Sequence, residues 1–193
     1  TRSYPGSITS WSTFSPTQLT LQQTAGTEFF VPRLSVAGLE VRNEAGMESR
    51  FGAAMAETLN QFGAEIGTIM KRSEAPHSIH SLTTCDEICY DGAQRVFAVQ
   101  EMKLFNNLSD MPDTAADIVT RYGSGRHPLQ DEVRDRKWCR VVAQVYGYML
   151  DQGVCYGIIS CYNRTWFIHA LSNDEIEISD AFACDGGGLI RAY

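Results

Sequence analysis

Apolar positions along the chain change from a helical period to alternation and back, and these changes mark out its elements. Residues 1–40 carry Ser, Thr, Pro and scattered aromatics with no clear period, and read as a peripheral N-terminal strap. Asn43 is a suitable N-cap, and Met47, Phe51, Met55, Leu59 and Phe62 follow at three- and four-residue steps. This stripe predicts a helix to about Lys71, its second half weakened by Gly63 and Gly67. After Pro76 the period becomes two, predicting strands over Ser78–Thr84, Glu87–Tyr90 and Gln94–Lys103, with a turn at Asp91-Gly92. Asn106–Gly125 is turn-rich, with a short helix near Thr114–Arg121. Leu129–Gln152 reads as a long helix closed by Gly153. Strands follow over Val154–Cys161, Thr165–Leu171 and Glu175–Ser179, joined by turns at Tyr162-Asn163-Arg164 and Ser172-Asn173-Asp174. The order predicts an α/β domain over residues 41–185, a mixed central β-sheet flanked by helices. Thr1 at the start and the Gly-rich end, 186–193, read as a piece of a longer protein leading into a further domain.

Composition narrows the function classes. With 193 residues, 44% hydrophobic and 20% charged, the chain can build a core. No apolar run approaches the ~18 residues of a membrane span. A net charge of −7 excludes a general nucleic-acid coat protein, whose affinity comes from excess positive charge, but leaves room for one local basic patch. The six cysteines form no CxxC pair, and His77 and His80 are poorly placed to complete a zinc site with Cys85 and Cys89. They read as reduced thiols in an intracellular, reducing compartment.

The chemistry concentrates between Tyr90 and Lys103. In a strand, Phe97, Val99, Glu101 and Lys103 share one face, while Val96, Ala98 and Met102 share the other. A carboxylate and a lysine thus stand side by side at the end of an apolar strand, with Asp91 at the preceding turn. Two carboxylates suit a hard cation such as Mg²⁺, with Mn²⁺ as an alternative. That cation polarises a phosphate and acidifies a bound water, and the lysine orients the water and offsets charge gathering on phosphorus. On the long helix, Lys137, Arg140, Gln144 and Tyr148 fall on one stripe, a local phosphate-binding track. Glu48 lies on the inward side of the first helix with Phe51 and Met55.

Asp91 followed by Glu101-x-Lys103 resembles the PD-(D/E)XK, or restriction-endonuclease-like, nuclease superfamily, although Tyr90 stands where that pattern often has proline. Gln144-Val145-Tyr146-Gly147-Tyr148 on the following helix resembles the QxxxY variant of the RecB and lambda-exonuclease branch. The resemblance implies a restriction-endonuclease-like fold and a Mg²⁺-dependent nuclease acting on DNA rather than RNA. It implies Asp91, Glu101 and Glu48 as metal ligands, Lys103 supporting the attacking water, and Gln144 and Tyr148 shaping the site. The tract from Gln144 through Tyr156-Gly157-Ile158-Ile159-Ser160 to Tyr162-Asn163-Arg164-Thr165-Trp166-Phe167 is similar to one in Crinkler-type effectors of oomycetes and fungi. There such modules sit beside kinase-like domains and often act in the host nucleus. The rival expectation is a nuclease-fold module that no longer cuts and serves as a docking or regulatory unit beside such a domain.

Overall fold

The computed structural model describes residues 4–14, 71–74, 85–90, 93, 95–122, 136–161 and 163–183. Eight strands and three helices occur among them in the order β1 (Ser7–Ser10), β2 (Lys71–Glu74), β3 (Glu87–Tyr90), β4 (Val96–Met102), α1 (Phe105–Leu108), α2 (Ala115–Tyr122), α3 (Lys137–Gln152), β5 (Tyr156–Ser160), β6 (Arg164–Ala170), β7 (Glu175–Ile178) and β8 (Phe182–Ala183). The strands form one mixed sheet, ordered β1-β7-β6-β5-β4-β3-β2, with β8 also pairing with β6. β4 and β5 are parallel, as are β1 and β7, and the other pairs are antiparallel. The α/β class with a mixed sheet is therefore as the hydrophobic pattern predicts.

The parallel step from β4 to β5 needs a crossover, and α3 supplies it by lying on the sheet. Its Trp138, Val142, Val145 and Met149 recur at helical spacing and pack against Val99, Ile159, Trp166 and Ile168 in the main core. The helix ends where Gly153 turns left-handed at φ 65°, and the amides of Gly153 and Val154 donate to the carbonyls of Leu150 and Met149. The opposite sheet face is covered in part by the strap: Trp11 stacks on His169, and Phe14 packs on Phe167 and Phe182.

Gly157 sets how closely α3 approaches β5. A methyl group there would sit 2.6 Å from both Met149 Sδ and Val145 Cγ1. Met149 can swing away, but a β-branched valine on a helix has little rotamer freedom. Gly157→Ala is therefore expected to destabilise the domain by about 1–3 kcal/mol through overpacking, read as a lower midpoint in urea unfolding.

The elements depart from the expectations in several places, including the unexpected α1 and β8. Lys71 begins β2 rather than ending a helix, which fits the weak helix propensity around Gly63 and Gly67. α3 starts at Lys137 rather than Leu129, because Arg136 has extended backbone at φ −67°, ψ 131°. β1 carried no readable period, being four residues of mostly polar character. Finally, Val96 packs against the main core rather than facing away with Ala98. The register shift beside Cys89 and Tyr90 pairs Tyr90 with Val96, and such a bulge turns one side chain across the sheet. The expected strand over 78–84 lies outside the described residues, as does most of the expected first helix.

Candidate active site

The site forms at the C-terminal end of β4, where an apolar strand ends in Glu101-Met102-Lys103. Glu101 shares its sheet face with Val99 and meets α3, so its carboxylate is taken almost wholly from water, at 1% exposure. Such a charge stays buried only when paired and hydrogen-bonded. Lys103 Nζ and Gln144 Nε2 both donate to Glu101 Oε1, the latter at 2.7 Å. Gln144 Nε2 also donates to the Tyr148 hydroxyl at 2.6 Å, which its place one helical turn before Tyr148 makes natural. The strand end is fixed on both sides: Lys103 N–H continues the ladder to Ser160 O at 2.9 Å. Met102 N–H donates to Asp86 Oδ2 at 2.6 Å.

Asp86 is the carboxylate that sequence reasoning missed. Antiparallel pairing sets the first residue of β3, Glu87, beside Gln100 near the end of β4, while Tyr90 pairs with Val96 at the far end. Asp86, one step before Glu87, therefore falls level with the Glu101 end of β4. Its charge and that of Glu101 act together on two buried neighbours. Burial pushes the Tyr148 hydroxyl up to about 12; the Gln144 hydrogen bond opposes this, and the Glu101 and Asp86 carboxylates reinforce it. Burial likewise pushes the Cys85 thiol up to about 12, again reinforced by Glu101 and Asp86. Two carboxylates, an ammonium, an amide and a neutral phenol thus converge at one strand end.

Glu101, Lys103, Gln144 and Tyr148 come together as the spacing implied. Asp91 and Glu48 lie outside the described residues. Lys137 and Arg140 are exposed at the start of α3. Arg140 is about one turn and Lys137 about two turns before Gln144, roughly 6 and 10 Å along the axis. Their stripe thus runs from solvent into the site. The donors fit a hard cation, since both carboxylates offer oxygen and such ions keep several waters of their own. Among the described residues no group of three or more His, Cys, Asp or Glu side chains is placed to hold a metal ion.

Asp86→Ala leaves the amide of Met102, a residue with no exposed surface, without its acceptor. The expected loss is about 1–3 kcal/mol, whereas Asp86→Asn keeps an acceptor oxygen and should lose little; chemical unfolding of the two variants separates these outcomes. Alkaline pH is also expected to weaken the fold. The Cys85 and Cys139 thiols are pushed up from 9.0 to about 12, chiefly by burial, and Tyr148 from 10.0 to about 12. Each folded-state value lies above the unfolded one, so the unfolded chain releases protons that the folded chain retains. Stability is therefore intact below about pH 9 and falls as pH rises towards 12. Urea midpoints measured in EDTA at successive pH values should drop over that window. Tyr148→Phe should flatten the part above pH 10.

No helix among the described residues is long and apolar enough to cross a membrane. Comparison with protein-family models, with curated proteins and with solved structures found no match to the chain.

Proposed function

We propose that this chain is a metal-dependent nuclease of the PD-(D/E)XK type with a restriction-endonuclease-like fold, hydrolysing phosphodiester bonds in DNA as one module of an effector-like protein. The observation that carries the reading is Glu101, a carboxylate 1% exposed at a strand end and gripped by Lys103 and by a glutamine that also binds a tyrosine one turn on. A plain surface hairpin has no reason to bury that charge. Asp86 and Glu101 are the residues that would hold Mg²⁺ or Mn²⁺, which when bound supplies Lewis acidity towards the phosphate and a more acidic water. Lys103, 14% exposed, places an ammonium where negative charge develops, in surroundings dry enough to strengthen its effect. Gln144 orients the Glu101 carboxylate, and Tyr148, protonated at neutral pH, orients Gln144. Arg140 and Lys137 meet phosphates of the flanking strand.

A second reading, a docking module beside a kinase-like domain that does not cut, draws on another observation: two donors already share Glu101 Oε1. Incubation of the protein with supercoiled plasmid and with single-stranded DNA decides between them. The nuclease reading expects cleavage of at least one of the two with Mg²⁺ and of neither with EDTA. Both substrates intact under both conditions favours the docking module.

A further inference from the structure

Beyond the acidic pair, the same strand ends carry a second group of side chains. Met102 pairs with Ser160, and Ser160 with Thr165. One step further, Lys103, Cys161 and Arg164 form a row: Lys103 N–H donates to Ser160 O, and Cys161 N–H to Arg164 O at 3.0 Å. Alternation puts Arg164 on the face of Trp166 and Ile168, the face that α3 covers and Glu101 shares. With strands about 4.8 Å apart, the backbones of Lys103 and Arg164 are separated by roughly 10 Å.

Phe105 joins them. It opens α1 two residues after Lys103, and Leu108 anchors that helix with no exposed surface, while Phe105 remains 41% exposed. The Arg164 guanidinium carbon lies 5.6 Å from the centre of the Phe105 ring. Asp113 Oδ1 holds Arg164 Nη1 at 2.9 Å, which fixes the guanidinium beside the ring at the cost of part of its charge. A single exposed aromatic is ordinary. An exposed ring backed by a tethered arginine, next to a lysine that faces a buried carboxylate, matches what unpaired bases and their phosphates require.

We infer that Phe105 and Arg164 form a stacking platform for an unpaired base, and that the substrate is single-stranded nucleic acid laid from Lys103 across to Arg164. This rests on the nuclease reading for its function but not for its binding. Bases inside a duplex present no face to such a ring, so the platform selects single strands or frayed ends.

The test measures fluorescence anisotropy of a labelled single-stranded oligonucleotide and of its duplex, in Ca²⁺, for the parent, Phe105→Ala, Phe105→Trp and Arg164→Gln. Phe105→Ala should weaken single-strand binding about tenfold, as loss of one base–aromatic stack does, and change duplex binding less than twofold. Phe105→Trp should restore it, which separates stacking from mere folding. Arg164→Gln should make the salt slope shallower by about 0.7, one phosphate contact on a single strand. Single-strand binding that is unchanged in Phe105→Ala, or reduced equally for duplex, overturns the platform even if the parent cuts DNA. Phe105-dependent single-strand binding in a parent that cuts nothing keeps the platform and removes the nuclease reading. A parent that neither binds nor cuts removes both.

Discussion

Glu101→Gln is expected to lower Mg²⁺-dependent cleavage about a thousandfold, the scale of losing a charged group that acts on the transition state. The amide oxygen of glutamine has the shape to accept from Gln144 Nε2 as the carboxylate does. What vanishes is the charge proposed to hold a cation, which also pairs with Lys103. The ammonium, 14% exposed, still reaches water, so folding survives. Affinity for DNA should hold or rise, since one negative charge near the phosphates is gone. A variant with unchanged turnover would mean that Glu101 is a structural charge only.

Lys103→Met carries the largest expected effect on stability, a loss of about 3 kcal/mol. It removes the ammonium beside a carboxylate 1% exposed, and breaking such a pair from one side leaves a buried charge uncompensated. The lysine's partial exposure puts the effect at the low end of the range for fully buried pairs. Removing the charge from the other side as well should recover most of the loss. The double variant Lys103→Met, Glu101→Gln is therefore expected to be more stable than Lys103→Met alone, and a double-mutant cycle in urea gives the coupling directly. Additive losses would mean that the two charges do not depend on each other.

The helix α3 and the strands β3 to β7 were legible because each has one dense apolar face at its own period, ending in a clear signal such as Gly153. β1 was not, because four mostly polar residues become a strand only through pairing with β7, a partner far along the chain. The Glu101, Lys103, Gln144 and Tyr148 group was legible because spacing within one strand and one helix fixes which side chains share a face. Asp86 was not. Its role depends on which end of β3 lies against the end of β4, and this follows from counting the antiparallel register back from the turn. Sequence proximity drew attention instead to the expected turn at Asp91-Gly92, which lies outside the described residues. Arg164 escaped for the same reason, since its alignment with Lys103 runs across three strands.

Whether Asp86 and Glu101 together hold a divalent cation is read from the stability of the parent, Asp86→Asn and Asp91→Asn with and without Mg²⁺. A bound ion stabilises the folded chain by mass action, by about 2.7 kcal/mol at a hundredfold excess over its dissociation constant. That gain is expected for the parent and for Asp91→Asn, and little of it for Asp86→Asn. Full stabilisation of Asp86→Asn, or its loss in Asp91→Asn alone, would overturn the assignment of the cation to Asp86 and Glu101.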